Sequence, residues 1–295
     1  MKIDRSKMMD KVRAISTANV NTGRIGYIKK FEDQNQRLIR ILPPKSLLVF
    51  LRDNRNSNKT YDLTDYPWRE IGVHYGVSAN NKERVYCPKA MLNLPCPICE
   101  TVEELRKSKT KDDLELANRM RLQYRFQFLA IEKTSDTDIK EGPKFWEISR
   151  TPYNKIIGIF QDTDYGDISD PEDGYDLKVT RIAFKMTEQD QYKILPAKKS
   201  SPILSLEDGD IDWDTLFGYL ETLPDLSDTI SVFSYDELSD LLDGKVSLKG
   251  LWDEHRQPTE VADEEKDDED DDEDEDDEDE KVEEEAPKVS VRRRR

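Results

Sequence analysis

Short runs in which apolar and polar positions alternate dominate the middle of the chain, and this alternation is typical of β-strands. Predicted strands cover residues 37–42, 46–52, 67–73, 124–131, 144–150, 175–186 and 191–195. In the fourth run the alternation places Tyr124, Phe126 and Phe128 on one face of the strand and Arg125 and Gln127 on the other. The last two runs predict a hairpin, because a turn-forming segment precedes them and a short gap separates them.

Apolar residues spaced by three or four positions predict helices in other parts of the chain. Predicted helices cover residues 101–106 and 112–122, a segment from Thr151 as N-cap and Pro152 through Phe160, and two segments within 210–243. Asp210 or Asp212 caps the first of these two segments, and Ser234 with Glu237 forms a capping box for the second. Strands followed by helices predict a mainly β protein of the α+β class.

Composition predicts one folded body with solvated ends. Hydrophobic residues make up 35% and charged residues 37% of the 295 positions, which supplies a core for roughly 200 residues. We expect a basic N-terminal segment at residues 1–30, a body at residues 31–258 and an acidic tail at residues 259–295. Neither a membrane-spanning run nor a secretory signal is apparent, so the sequence predicts a soluble, cytoplasmic protein.

Charge is divided unevenly along the chain. The net charge is −18, yet residues 1–160 carry 30 Lys and Arg against 20 Asp and Glu. Residues 260–295 carry 21 acidic against 7 basic residues. A basic body followed by an acidic end predicts a surface that binds nucleic acid and a separate polyanionic tail.

The first 30 residues mix lysine and arginine with apolar residues until Gly23 and Gly26 interrupt the pattern. A frayed terminus explains this composition. A basic arm that reaches a neighbouring molecule explains it equally well. The residues alone leave both interpretations open.

All three cysteines lie in one short window with a histidine upstream. The pattern is His74-x12-Cys87-x8-Cys96-x2-Cys99, and Pro88, Pro95 and Pro97 stiffen the turns between the ligands. Tetrahedral zinc favours four thiolate or imidazole ligands, and a Cys-x-x-Cys turn supplies two of them. The sequence therefore predicts one structural zinc ion in a closed Cys3His site, within a subdomain at about residues 65–125. A redox-active Cys-x-x-Cys pair without metal is the alternative.

Sequence motifs of enzymes are missing. Neither a phosphate-binding Gly-x-x-x-x-Gly-Lys nor a nucleophilic Gly-x-Ser-x-Gly occurs, and a zinc deaminase needs a glutamate where Gly76 follows His74 by two residues. We therefore expect a protein without catalytic activity.

Single-stranded nucleic acid is bound by cations that contact phosphates and by aromatic rings on which bases stack. The body contains both. The candidate binding residues are Arg40, Lys45, Arg52, Tyr61, Tyr75, Tyr86, Arg119, Arg121, Tyr124, Arg125, Trp146, Arg150, Tyr153, Lys155, Tyr192 and Lys193. Four phenylalanines in or beside the predicted strands are assigned to the core, namely Phe126, Phe128, Phe145 and Phe184.

The acidic tail has too few apolar residues to collapse. Of the 18 residues from Asp263 to Glu280, 17 are acidic, so this segment is predicted to be disordered. It is either a solubilising tail or a polyanion that occupies the basic groove when no strand is bound.

The sequence resembles the single-stranded-DNA-binding, helix-destabilising proteins of T-even-type tailed phages. The residues that carry the resemblance are Ile39–Pro43, the His74, Cys87, Cys96 and Cys99 site, residues 124–131, 142–145 and 174–179, and residues 216–241. Together they span most of residues 30–245. Arg125 stands where this family has a second aromatic residue, which favours a phosphate contact at that position.

The resemblance implies an OB-fold core in which the zinc subdomain and the core hold the strand between them. It assigns zinc to His74, Cys87, Cys96 and Cys99, and strand contacts to Arg119, Arg121 and Tyr124. It also implies self-association along DNA through the basic arm, where Arg5, Ser6 and Lys7 correspond to the basic and hydroxyl cluster of this family. The acidic tail would bind replication and recombination proteins, among them a polymerase, a helicase loader and a recombinase mediator.

The sequence thus predicts a non-catalytic protein that coats single-stranded DNA during replication, recombination and repair in the cytoplasm, which is the host cytoplasm for a phage protein. Two alternatives remain open at this stage. One is a zinc-containing protein-interaction module, and the other is a translational regulator that binds single-stranded RNA.

Overall fold

The computed structural model describes residues 26–29, 31–32, 35–54, 61, 65–77, 83–182, 191–207, 209–221, 223, 226 and 230–255. The chain divides into a unit Met1–Thr259 and a unit Glu260–Arg295, and every described residue belongs to the first unit. The acidic tail and most of the basic N-terminal segment therefore lie outside the described residues.

The strands of the described part form one antiparallel sheet. They are β1 (Gln36–Ile41), β2 (Trp68–Tyr75), β3 (Arg84–Tyr86), β4 (Gln123–Glu132), β5 (Pro143–Ile148), β6 (Leu177–Arg181) and β7 (Tyr192–Pro196). Their order is β3-β2-β4-β1-β6-β7, and β5 pairs with β4. The strand β4 is long enough to pair with β2 near its start, β1 near its end and β5 in between.

Helices lie between and after the strands. They are α1 (Lys45–Asn54), α2 (Pro88–Leu92), α3 (Pro97–Ser108), α4 (Lys111–Met120), α5 (Asp136–Lys140), α6 (Arg150–Phe160), α7 (Trp213–Gly218), α8 (Tyr235–Leu242) and α9 (Leu248–His255). This arrangement confirms the predicted α+β class. Among the described residues, no helix is both long enough and apolar enough to cross a membrane.

Alternation along the strands gives the sheet an inner and an outer face. The inner face carries Phe126, Phe128 and Trp146, which pack with Ile156 of α6 in the largest apolar core. The ring of Tyr153, also on α6, stacks on Phe126 with centroids 3.6 Å apart. Phe126, Phe128 and Phe145 are buried as predicted, whereas Phe184 lies outside the described residues.

Apolar clusters cover the outer face at two places. Leu129 and Ile131 in the second half of β4 pack against α1 and α7. Ile71 and Val73 of β2 pack against Ile230 and Val232. Between these clusters, the first half of β4 presents Arg125 and Gln127 on the outer face.

One predicted element was wrong in type, and several were wrong in boundary. Residues 46–52 form helix α1 instead of a strand, because the amides of Leu47 and Leu48 bond to the carbonyl oxygen of Pro44 and start a helical turn. A short apolar run fits either structure, and here only Leu48 is fully buried. Helix α6 begins at Arg150 with Ser149 as N-cap, two residues before the predicted start.

The helix caps that the sequence predicts for α7 and α8 are present in the structure. The side chain of Asp212 accepts a hydrogen bond from the amide of Thr215 at the start of α7. Ser234 and Glu237 form the predicted capping box at the start of α8. Strands β6 and β7 pair antiparallel, as the predicted hairpin requires.

A fully buried arginine joins β1 to the segments that follow α6. Arg40 has 0% exposure, and its guanidinium donates to Oδ1 of Asp176 at 3.1 Å. It also donates to the carbonyl oxygens of Asp170 and Ser201 at 3.0 and 2.6 Å. Lys133 adds a second cation 3.2 Å from Oδ2 of Asp176.

We expect Arg40→Met to lower the free energy of unfolding by about 3–5 kcal/mol, because it removes one partner of a buried ion pair and leaves two carbonyl oxygens without a donor. The matched control is Arg52→Met, since Arg52 is exposed and pairs with its sequence neighbour Asp53. That control should cost about 0–1 kcal/mol. Urea unfolding measures both, and equal losses for the two variants would contradict a structural role for Arg40.

Candidate metal centre and basic sheet face

Four side chains converge on one buried point. The Nε2 atom of His74 lies 3.5 Å from Sγ of Cys99 and 3.6 Å from Sγ of Cys96, and the Sγ atoms of Cys87 and Cys99 are 3.6 Å apart. All four ligand atoms lie within 4.8 Å of one another. These residues can therefore hold one metal ion.

The spacing of the ligand atoms fits a tetrahedral ion. Zinc with Zn–S bonds of about 2.3 Å and a Zn–N bond of about 2.0–2.1 Å separates two sulfur ligands by about 3.8 Å. The same geometry separates a sulfur from the nitrogen by about 3.5 Å. The observed distances lie close to these values, so the site is compatible with a structural zinc ion.

Local sequence explains why the ligands meet. His74 lies on β2, and its register partner on β3 is Val85, two residues before Cys87. Cys87 and Cys96 are the N-cap residues of α2 and α3, and a proline follows each of them in the first helical turn. Cys99 follows Cys96 in that first turn. Proline fits the first turn without loss of a hydrogen bond, so the thiols are held at helix starts.

A second contact orients the histidine. The Nδ1 atom of His74 lies 2.8 Å from the carbonyl oxygen of Met120, so an Nδ1–H donor there leaves Nε2 to face the thiols. Burial lowers the pKa of His74, but hydrogen bonds with Cys87, Cys96 and the Met120 carbonyl outweigh it and raise the pKa to about 9.

The pKa values of Cys87 and Cys99 are shifted in opposite directions. Hydrogen bonds from Cys96 and Cys99 hold the pKa of Cys87 far below the usual range of a thiol. The pKa of Cys99 is raised because it donates to Cys87 and Cys96 and is partly buried. Three adjacent thiols that lose their protons on metal binding are a donor set whose charge a bound cation would balance.

The helices around the metal centre pack against the C-terminal part of the body. The apolar cluster that contains Cys87, Cys96, Ile98 and Val102 also contains residues from the C-terminal part of the body, namely Phe233, Leu238, Leu241, Leu248 and Leu251. We call this assembly of α2, α3, α4, α8 and α9 the metal lobe. The hydroxyl of Tyr235 donates to Oε2 of Glu100 at 2.7 Å and ties α8 to α3.

The outer face of the sheet beside the metal lobe collects cations and aromatic rings. We define the outer-face patch as Tyr27, Arg69, Tyr75, Arg84, Tyr86, Arg125, Gln127 and Glu147. Strand pairing brings these residues together, since Tyr75 pairs with Arg84 and Gln127 pairs with both Arg69 and Glu147.

Inside the patch, two arginines lie beside aromatic rings and a third donates a hydrogen bond to an amide oxygen. The guanidinium of Arg125 lies 5.6 Å from the ring centroid of Tyr75, and that of Arg84 lies 5.7 Å from the ring centroid of Tyr86. Such cation–π contacts stabilise the position of an arginine side chain beside the ring. Arg69 donates to Oε1 of Gln127 at 2.7 Å.

The patch as defined contains three arginines and one carboxylate. Glu147 pairs with Arg84. Burial lowers the pKa of Arg84, but Glu147 outweighs burial and raises it further above its usual value. Burial raises the pKa of Tyr86, so its phenol stays neutral. The patch therefore keeps a net positive charge at neutral pH.

A second aromatic group lies at the rim of the inner face. Tyr124 is 40% exposed, and the guanidinium of Arg150 lies 5.5 Å from its ring centroid and 5.3 Å from that of Phe126. Arg150 also pairs with Glu70 at 3.2 Å. Tyr153 is half-buried on Phe126 and belongs to the same group.

Two predicted arginines lie near the border of the metal lobe. The aliphatic part of Arg119 lies against Gly76, whose φ is +62°, at 2.5 Å from the position that a Cβ atom would take. Arg119 therefore lies beside the end of β2 that carries Tyr75. Arg121 follows α4 and precedes β4.

The remaining half-buried or exposed candidates lie apart from the patch. Lys45 donates to the carbonyl oxygen of Leu223, and Tyr61 donates to Ser46 at 2.7 Å. Arg52 is on α1, where it pairs with Asp53. On β7, the carbonyl oxygen of Tyr192 accepts from Lys155 at 2.7 Å, and Lys193 is exposed.

Burial corrects three of the predicted strand contacts. Tyr86 is 9% exposed and belongs to the apolar cluster that contains Ile71 and Val73. Arg40 is enclosed by Asp176 and backbone carbonyls and has no surface for a phosphate. Trp146 is 3% exposed, and its ring packs against Phe128 and Phe31 in the inner core. The self-association residues Arg5, Ser6 and Lys7 lie outside the described residues.

Sequence reasoning missed Arg69, Arg84, Gln127, Glu147 and Tyr27. Alternation along residues 67–73 already separated Arg69 from Trp68, which was a usable signal. The register that sets Arg84 and Glu147 beside it was absent from the sequence pattern, because β3 has only three residues.

Comparisons with protein-family models and with curated proteins find no match for this chain.

We expect Cys96→Ser to abolish stoichiometric metal binding, because serine cannot replace a thiolate ligand of a closed tetrahedral site. The wild-type chain should contain about one equivalent of zinc by elemental analysis. Because α8 and α9 share the apolar cluster of Cys96, their amides should also exchange with deuterium faster in the variant, whereas those of β6 and β7 should change little.

His255→Gln is the matched control, since His255 bonds to Glu237 and is not one of the four clustered side chains. It should retain the metal. Full metal content in Cys96→Ser, or loss of metal in the control, would contradict the assignment of the ligands.

Proposed function

We propose that this protein binds single-stranded nucleic acid, with DNA as its main target, through the outer-face patch. The observation that carries the proposal is the interleaving of the half-buried Arg69, Arg84 and Arg125 with Tyr75, beside the buried Tyr86, on one face of an antiparallel sheet. Single strands are bound by this combination, because cations contact phosphates and rings stack on bases. The contacts depend little on base identity, so the protein coats DNA with low sequence preference.

Several features outside the patch agree with the proposal. Residues 1–160 have an excess of Lys and Arg over Asp and Glu despite the net charge of −18. Arg119 lies beside the end of β2 and extends the basic surface toward the metal lobe. The resemblance to phage helix-destabilising proteins points to the same function and to an OB-fold for the sheet.

In this proposal the bound metal is zinc and its role is structural. The four ligands His74, Cys87, Cys96 and Cys99 close the coordination sphere with protein atoms, whereas catalytic zinc keeps a position for water or substrate. The ion stabilises the metal lobe, which packs against β2 and β3 at the border of the patch.

The chain termini have separate roles in the proposal. The basic segment of residues 1–30 contacts a neighbouring molecule along the DNA. The acidic run from Asp263 to Glu280 competes with DNA for the basic surface and, once displaced, recruits proteins of replication, recombination and repair.

The test is a fluorescence titration of the full chain with oligo(dT), matched duplex and matched RNA at two or more salt concentrations. We expect oligo(dT) to quench the tyrosine and tryptophan emission and duplex to act weakly. The affinity should fall with salt by about 0.7 logarithmic units per phosphate contact and per tenfold change in salt. Arg125→Gln should weaken binding and reduce this slope by about 0.7, because one phosphate contact is lost.

Arg52→Gln is the control, because Arg52 is an exposed arginine on α1 outside the patch. It should leave the slope unchanged. No response of the full chain to any single strand at low salt would overturn the proposed function. Tighter binding of RNA than of DNA would instead favour a translational regulator.

A further inference from the structure

Two polar atoms of the outer-face patch are buried without a hydrogen-bond partner among the described residues. They are Oε2 of Glu147 and Nε of Arg125. The other carboxylate oxygen of Glu147 accepts from Arg84. Buried polar atoms are nearly always paired, so an acceptor left without a donor in a ligand-binding surface indicates where a ligand supplies the missing group.

The amide of Gln127 directs its hydrogen bonds away from Glu147. Gln127 lies opposite Glu147 in the strand register. Its amide oxygen accepts from Arg69, and its amide nitrogen donates to the hydroxyl of Tyr27 at 3.4 Å. Oε2 of Glu147 is thus an unused acceptor, and Nε of Arg125 is an unused donor in the same patch.

Glu147 belongs to the surface layer of the protein. Its side chain retains 13% exposure, and that of Arg84 retains 28%. Tyr27 is 49% exposed. The atom Oε2 is itself buried, so a ligand reaches it only when these partly exposed side chains move.

We propose that Oε2 of Glu147 accepts a hydrogen bond from the exocyclic amino group of a base held in the patch, so that the protein favours cytosine over thymine and uracil. This inference rests on the proposed function and refines it. A carboxylate accepts from the N4 amino group of cytosine. Thymine and uracil carry an oxygen at this position, and their N3–H lies between two carbonyl oxygens that repel the carboxylate.

A simpler role for Glu147 makes a different prediction. If the carboxylate only holds Arg84 in place and lowers the positive charge of the patch, its removal changes the affinity for all sequences by the same factor. If it accepts from a base, its removal changes the ratio of affinities between bases. The ratio therefore separates the two roles.

The experiment compares oligo(dC), oligo(dU) and oligo(dT) of equal length on the full chain, at one salt concentration and at slightly alkaline pH, where cytosine is unprotonated. We expect oligo(dC) to bind about fivefold more tightly than oligo(dU), a factor at the lower end of what base contacts provide. Oligo(dU) and oligo(dT) should bind alike, which excludes an effect of the thymine methyl group.

Glu147→Gln should bring the dC-to-dU ratio close to one, because a glutamine amide can rotate to accept from N4 or to donate to O4. Glu70→Gln is the matched control, since Glu70 also pairs with an arginine but lies at the rim of the inner face. It should leave the ratio unchanged. Thermal unfolding checks that both variants are folded.

Equal affinities of the wild type for oligo(dC) and oligo(dU) would overturn the inference, and this comparison needs no variant. A ratio that survives in Glu147→Gln, or that falls equally in Glu70→Gln, would also overturn it. If none of the three oligonucleotides binds, the proposed function itself fails and the inference with it.

Discussion

The backbone hydrogen bonds of β4 are the interaction on which the described fold depends most. Strand β4 pairs with β2, β1 and β5, and its two faces serve different purposes. Phe126 and Phe128 point into the inner core, while Arg125 and Gln127 point to the outer-face patch. A shift of one residue in its register would exchange the two sets, so core formation fixes the composition of the patch.

The metal centre also constrains the positions of the neighbouring strands β2 and β3. His74 is on β2 and Cys87 directly follows β3, so an ion bound by both holds the edge of the sheet that carries Tyr75 and Tyr86. The same centre lies against Phe233 and Leu238 from a distant part of the sequence. An ion bound by these four side chains would link local turns, the sheet edge and the C-terminal helices.

Features that are determined by residues close together in the sequence were predicted correctly. The His74 to Cys99 spacing, the capping box at Ser234 and the alternation along β4 are each contained within a few tens of residues, and the structure agrees with them. Features that depend on distant pairing were not predicted. Arg40 was assigned to the surface because its partner Asp176 is 136 residues away. The strand predicted at residues 46–52 was wrong because a short apolar run fits a strand or a helix equally well.

The composition of the patch illustrates the same limit. Arg125, Tyr75 and Tyr86 were recognised from their residue types, whereas Arg69, Arg84 and Glu147 needed the strand register before they could be placed beside them. Strand order and register arise from packing of the whole sheet, and a single sequence specifies them only indirectly.

The most direct test of the account is photo-crosslinking of a single strand that carries 5-iodouracil, followed by identification of the modified residues. If the outer-face patch binds the strand, the crosslinks should map to Tyr75 or Tyr27. Crosslinks confined to Tyr61 or Tyr192, which lie outside the patch, would contradict the central claim.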